Sequence, residues 1–166
     1  DLDQIVSYGG RSFSVLDSNG NIIFDSGDQI ARITAQQTPK FFNANEGNPE
    51  EFDARSDNKG AEPEAITTGV IGGRPFAFVG LERAGGGVLV YDLSNPRAPE
   101  FKQYIRDDAD IPPQGLVFIP AEESPSGHPL LTIANEASST VTVYAIDVDV
   151  VTVGAISGAG HISPLV

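Results

Sequence analysis

Apolar and polar residues alternate along much of the chain with the two-residue period of β-strands, and the alternating runs recur. Residues 63–93 open on Pro and a polar residue, run through apolar positions to Glu82, turn through small residues and end in Val-Tyr. Residues 113–147 repeat this order, with Glu136 at the equivalent position. A repeat of roughly 50 residues with three or four strands per unit is typical of the blades of a β-propeller.

Two further elements precede the repeats. Residues 11–27 predict a hairpin, because Asn19-Gly20 suits the positive φ of a tight turn. Residues 28–37 predict a short helix with Asp28 as its N-cap, which Pro39 ends. The predicted strands of the repeats are 64–70, 75–82, 86–94 and 100–105, then 114–120, 130–136 and 140–147, with 148–156 adding a fourth or leaving the domain.

We therefore predict an all-β fold that forms the C-terminal part of a β-propeller, about two and a half blades, with one short helix near 28–37. The partial propeller occupies 1–149, and 150–166 is a linker or final strand. Its blade pieces are 11–27, 64–105 and 114–148. The expected core is Phe13, Val15, Ile66, Phe76, Phe78, Val88, Val90, Leu116, Phe118, Leu131, Ile133, Val141 and Val143.

Too few blades are present to close a ring of four to eight. The open ends of such an arc expose unpaired strand edges and apolar faces. We expect the missing blades to come from the same parent protein as a second chain, or from a homo-oligomer. The first residue is Asp1, which is not a translation start, so we expect a piece of a longer protein.

Composition narrows the possible chemistry. The chain has no Cys, which excludes disulfides, thiol catalysis and thiolate metal sites. No stretch approaches the length of a transmembrane helix. Ten basic residues against 23 acidic ones give a net charge of −13, which argues against binding nucleic acid or anionic membranes. An acidic surface favours cations, above all Ca²⁺, although exported proteins are often acidic without any cation role.

Four polar residues form the candidate metal site. Glu64 begins a first strand and Glu82 ends a second strand, and these positions lie on the same face of a propeller disc. Asn135 and Glu136 lie at the corresponding strand end of the next unit. Oxygen ligands from adjacent blades suit Ca²⁺, which takes six to eight of them. The alternative is that these residues are solvated strand ends.

Other polar residues give weaker indications. We interpret residues 43–62, which include Asp53, Asp57, Asn58 and Glu62, as a solvated surface loop, because they do not match a calcium-loop pattern. His128 and His161 have no metal-ligand partner at suitable spacing and are expected at the surface. Arg83 and Lys59 are the basic residues that could face a phosphate.

Long stretches of the chain resemble the choice-of-anchor I domain family. The matching text includes GGRSFSVLDSNGNIIFDSGDQI, RSDNKGAEPEAITTG, RPFAFVGLERAGGGVLVYDLSNPRAPEFKQYI, PQGLVFIPAEESPSGHPLLTIANE and TVTVYAID. The resemblance implies an exported, propeller-like bacterial module of secreted or cell-surface proteins, some of them alkaline phosphatase-like. The sequence departs from the family pattern at Glu64-Ala65-Ile66 and at Pro113-Gln114-Gly115, and the second departure removes a carboxylate.

The C-terminal residues 153–166 resemble the entry to a secreted endonuclease/exonuclease/phosphatase-associated domain. That resemblance implies a phosphatase or nuclease elsewhere in the parent, with no catalytic residue and no organic cofactor in this chain. Two function classes remain open. The first is a non-catalytic interaction or scaffolding module, which we favour. The second is part of a Ca²⁺-dependent phosphoester hydrolase of the phytase-like propeller type, which needs clustered carboxylates and basic residues facing the phosphate.

Overall fold

Three antiparallel sheets and one short helix make up the computed structural model, which describes residues 8–147 and the backbone of 160–162. The all-β class with a short helix is thereby confirmed. In chain order the elements are β1 Ser14–Leu16, β2 Ile22–Asp25, α1 Gln29–Gln37, β3 Pro63–Ile71, β4 Arg74–Leu81, β5 Val88–Asp92, β6 Glu100–Ile105, β7 Pro113–Ile119, β8 Leu130–Asn135, β9 Thr140–Ala145 and β10 Gly160–Ile162.

Each sheet follows chain order. We call β1–β2 the hairpin sheet, β3–β4–β5–β6 the central sheet and β7–β8–β9–β10 the terminal sheet. The strand β10 lies in the segment predicted as a linker or final strand, and residues 148–159 lie outside the described residues. In each sheet a strand pairs with the one that precedes it in the chain, which gives the chain order.

The central sheet is packed on both faces. One face, with Phe78 and Val90, packs against Leu131 and Ile133 of the terminal sheet. The other face, with residues such as Tyr91, packs against the hairpin sheet and α1. All five residues of β5 are buried, which explains why the sequence there is apolar without alternation.

Close approach of the first strands holds the central and terminal sheets together. The Phe118 ring of β7 stacks on Phe78 at 5.9 Å between centroids. It also lies over Gly69 of β3, where an added Cβ would meet the ring at 2.4 Å. Glycine at this position is therefore required for the two sheets to approach.

The predicted core is largely, but not wholly, buried. Phe13, Phe76, Phe78, Val88, Val90, Leu131 and Ile133 are buried, and Val15, Leu116, Phe118 and Val143 are partly buried. Two predictions are wrong. Ile66 is 58% exposed and Val141 is 36% exposed. The hairpin sheet and α1 do not extend over β3, and no described residue covers the outer face of the terminal sheet.

Residues 43–62 are not a plain solvated loop. The segment holds two single turns of 3₁₀ helix, and it contains buried residues such as Asn43, Ala44 and Glu62. The helix α1 starts after Asp28 as predicted, but the Asp28 side chain makes no capping hydrogen bond. It pairs instead with Arg32 at 2.9 Å, one turn along the exposed face.

Candidate functional site

The candidate site lies where the second strands of two neighbouring sheets end. In the central sheet an irregularity between Pro63 and Ala65 places Glu64 as an extra residue opposite the end of β4. The terminal sheet has the same irregularity between Pro113 and Gly115, which places Gln114 in the equivalent position. Such bulges turn a side chain away from the regular sheet and are common beside functional sites.

The backbone repeats around these bulges. The Glu82 amide donates to the Glu62 carbonyl at 2.9 Å, and the Glu136 amide donates to the Pro112 carbonyl at 2.9 Å. Glu82 and Glu136 are therefore equivalent positions on the two sheets, as the sequence repeat predicted. Their surroundings differ, because Gln114 donates a hydrogen bond to Glu136 at 2.8 Å whereas Glu64 brings a second negative charge towards Glu82.

Glu82 belongs to what we call the carboxyl cluster, which consists of Lys59, Glu62, Glu82 and Arg83. Glu62 accepts from Lys59 Nζ at 3.0 Å and from Arg83 Nε at 3.0 Å. Arg83 Nη2 also pairs with Glu82. Glu62 is only 8% exposed, so its charge is compensated by two cations rather than by water.

The backbone of Glu62 is unusual. Its φ is +46°, in the left-handed region that residues other than Gly, Asn and Asp seldom adopt. The following Pro63 restricts that residue further. The two ion pairs of Glu62 hold this conformation, and its carboxylate is thereby fixed beside Glu82.

The two glutamates share a site with opposite effects on their pKa values. Burial, a hydrogen bond with Glu62 and the charges of Glu62 and Glu64 raise the pKa of Glu82 to about 7, against the opposing charge of Arg83. Burial acts to raise the pKa of Glu62 as well. Hydrogen bonds with Lys59 and Glu82 and the charges of Lys59 and Arg83 outweigh it, and its pKa falls below the usual value. A proton taken up by the pair therefore resides on Glu82 and not on Glu62.

An open cavity of about 350 Å³ lies beside the cluster, and we call it the acidic cavity. Its lining is Glu46, Glu82, Pro112, Glu136 and Ala137. Two predicted metal ligands, Glu82 and Glu136, thus face one cavity, and Glu64 lies near enough to Glu82 to act on its pKa. Within residues 8–147, no group of three or more carboxylates or histidines is close enough to hold a metal ion.

The fourth predicted ligand lies elsewhere. Asn135 is buried, and its amide donates to Thr142 at 3.0 Å and to Thr140 at 3.2 Å inside the terminal sheet. It lines a small cleft between the sheets and not the acidic cavity. His128 is exposed, as predicted, and the side chain of His161 lies outside the described residues.

Sequence reasoning missed two residues of the site. The sequence indicates a solvated loop at Glu62 and gives no signal for Glu46. The three-residue spacing from Lys59 to Glu62 was a usable signal for an ion pair. Nothing local indicated Arg83, which reaches Glu62 across 21 positions of sequence.

Comparison with known proteins relates this chain to one domain family and to two animal proteins. The family model of the choice-of-anchor I domain matches residues 1–96. Gigasin-3a of Magallana gigas is 30% identical over 166 aligned residues, which cover 87% of this chain and 58% of that protein. A mesenchyme-specific cell surface glycoprotein of Strongylocentrotus purpuratus is 26% identical over 119 residues, which cover 64% of this chain and 15% of that protein.

The chain spans little more than half of the first relative and a small part of the second. Both relatives are animal proteins, so a bacterial source stays a prediction. No solved structure matches the chain.

The second resemblance, of residues 153–166 to a nuclease- or phosphatase-associated domain, has no support from the comparisons. Most of that segment lies outside the described residues. In the part of the chain that the structure describes, no helix has the length and apolarity needed to cross a membrane. The first family assignment stands, because its model matches more than half of the sequence. This chain belongs to the choice-of-anchor I domain family.

Proposed function

We propose that this chain is a non-catalytic module of a secreted or cell-surface protein, and that it acts by holding other protein segments in place. We further propose that its sheets are successive blades of a β-propeller. Chain-order sheets that stack face to face, with the first strands β3 and β7 in contact, support that architecture.

One observation carries the proposal: apolar side chains are exposed on two sheet faces. On the hairpin side of the central sheet, Ile66 is 58% and Val70 is 62% exposed. On the outer face of the terminal sheet, Val117 and Val141 are exposed. Apolar side chains grouped on an exposed sheet face mark surfaces that contact other protein.

The comparisons support the proposed location. The family and the relative named as a cell surface glycoprotein favour an extracellular or surface-attached protein. The absence of Cys and Met from the sequence also suits exposure to oxidants outside the cell.

The hydrolase alternative loses support at the carboxyl cluster. Lys59 and Arg83 were its candidates for binding phosphate, and both are paired with Glu62. Among the described residues Nη1 of Arg83 has no hydrogen-bond partner, and that atom is buried. A phosphoester would have to displace these pairs against the repulsion of Glu46 and Glu136 across the cavity.

The test combines size and turnover. We expect sedimentation velocity to show self-association, or the chain to bind an apolar dye. Either result follows if the exposed apolar side chains on the two sheet faces are uncovered. We expect no hydrolysis of p-nitrophenyl phosphate or bis-p-nitrophenyl phosphate, with or without Ca²⁺, above that of an E82Q variant. A dye-free, monodisperse 17.5 kDa monomer or hydrolysis that depends on Glu82 would contradict the proposal.

A further inference from the structure

The hairpin sheet corresponds to one half of the central sheet. In β1–β2 the register shifts between Val15 and Leu16, and in β5–β6 it shifts between Val90 and Tyr91. The text Val-Leu-Asp at 15–17 aligns with Val-Tyr-Asp at 90–92, so the two irregularities fall at the same place. The pair β1–β2 is therefore equivalent to the third and fourth strands of a four-stranded sheet.

The turns after these strands also agree. The Asp17 carboxylate accepts from the Asn19 amide at 2.8 Å, and the Asp92 carboxylate accepts from the Ser94 amide at 2.8 Å. In the central sheet, β5 pairs with β4 on its inner edge. Among the described residues nothing pairs with the corresponding edge of β1.

The unfilled place beside β1 lies over an uncovered part of the central sheet. Ile66 pairs with Val79, and Thr68 pairs with Ala77, so their side chains lie on the face towards the hairpin sheet. Val79 is buried there, but Ile66 and Val70 on β3 are not. The hairpin sheet and α1 thus cover the outer strands of this face and leave the first strand bare.

The opposite face shows what covers a first strand. There β7, the first strand of the terminal sheet, packs on β3 through Phe118 and Gly69. By the same repeat, the first strand of the hairpin sheet belongs over Ile66 and Val70. This inference rests on the propeller architecture proposed above. It indicates that a β-strand fills the place beside β1 and covers Ile66 and Val70.

We propose that the free edge of β1 and the bare face of β3 form a docking surface, which is completed by β-strands from a longer form of the same polypeptide. The strands extend the hairpin sheet to four, and the innermost covers Ile66 and Val70. Backbone hydrogen bonds to β1 supply affinity, and apolar contact with β3 supplies register.

The space favours strands over a second complete sheet. A four-stranded sheet from another copy of this chain would collide with β1, β2 and α1, which already cover the outer part of the face. The relatives do contain additional chain, since the matched region is 58% of the first and 15% of the second. Strands from the same polypeptide also need no partner concentration to bind.

The absence of Cys makes a direct test possible. A V70C variant carries a single thiol on the bare face, and an A98C variant carries one on the exposed turn after β5. Each is labelled with a maleimide in the 166-residue chain and in the complete translation product of its gene. We expect V70C to react at least tenfold more slowly in the complete product, and A98C to react equally in both.

Hydrogen exchange of residues 14–16 gives a second measurement on the unsubstituted proteins. We expect the amides of this stretch that face away from β2 to be protected in the complete product and to exchange freely in the 166-residue chain. Equal V70C labelling and equal exchange overturn the proposal. Protection that rises with concentration of the 166-residue chain, together with a dimer mass, also overturns it, because a second copy is then the occupant. Neither outcome bears on catalysis, so the proposed non-catalytic role is tested separately.

Discussion

Glu62 shows how much of the candidate site depends on one buried charge. Its left-handed backbone and its two ion pairs fix a carboxylate where a solvated loop was expected. Removing one partner of a buried pair leaves an uncompensated charge, which costs about 3–5 kcal/mol in proteins. The cluster therefore orders the segment that leads into β3 as well as holding the proton on Glu82.

We predict that E82Q changes the pH dependence of stability. Because the folded pKa of Glu82 is raised to about 7, the folded protein keeps a proton that the unfolded chain releases near its usual pKa of 4.5. Stability from this group is full below pH 4.5 and is lost as pH rises towards 7. Chemical denaturation should show the free energy of unfolding falling by about 1–3 kcal/mol between pH 5 and 8.

The Glu62 carboxylate changes folding stability with pH in the opposite direction. Its lowered pKa contributes stability above its usual pKa, which is lost as pH falls below that value. The fall between pH 5 and 8 that Glu82 contributes should therefore be lost in E82Q. The matched control is E136Q, at the equivalent position of the terminal sheet. If E82Q and E136Q keep the same slope as the parent, the shared proton has been assigned wrongly.

Calcium binding at Glu64, Glu82 and Glu136 stays a prediction. A cation in the acidic cavity would compete with the proton on Glu82, so we expect Ca²⁺ to raise the melting temperature more at pH 8 than at pH 5.5. Thermal melts with Ca²⁺ or EGTA measure this. A melting temperature that ignores both additions at pH 8 would rule the site out.

At the scale of elements, two first strands meet through one glycine. We predict that G69A destabilises the protein by about 2 kcal/mol, because the added Cβ meets the Phe118 ring at 2.4 Å. The control is G115A on β7, where an added Cβ meets only Ala134 at 3.8 Å. Urea denaturation compares the two. A G69A variant as stable as G115A would show that the sheets approach differently.

The strands were predictable because their pattern is local. The central sheet was predicted within two residues at every strand end, and β6 was predicted at 100–105, as observed. The alternating pattern around Ile66 and around Val141 indicated strands correctly. It did not indicate burial, since burial depends on what lies over the sheet. Likewise Asp28 lies at the helix start as predicted, but its carboxylate forms an ion pair with Arg32 and does not cap the backbone amides.

At the scale of the whole molecule, the site and the docking surface belong to the same stack of sheets. The equivalence of Glu82 and Glu136 follows from the repeat, and so does the place left beside β1. The sequence repeat predicted the equivalence of Glu82 and Glu136, because both copies of the repeat are present in the chain. It predicted the need for further strands but not their position, which required the two faces of β3 to be distinguished.

The burial of β5 on both faces has a consequence for how the molecule comes apart. The apolar cluster on each side of the central sheet includes residues of β5, such as Val90 on one side and Tyr91 on the other. A protease cut in the Gly85–Gly87 turn that leads into β5 would loosen both clusters together. A cut between 121 and 128, at the edge of the terminal sheet, would touch only one. Cooperative unfolding of the two apolar clusters therefore depends on β5, which contributes residues to both.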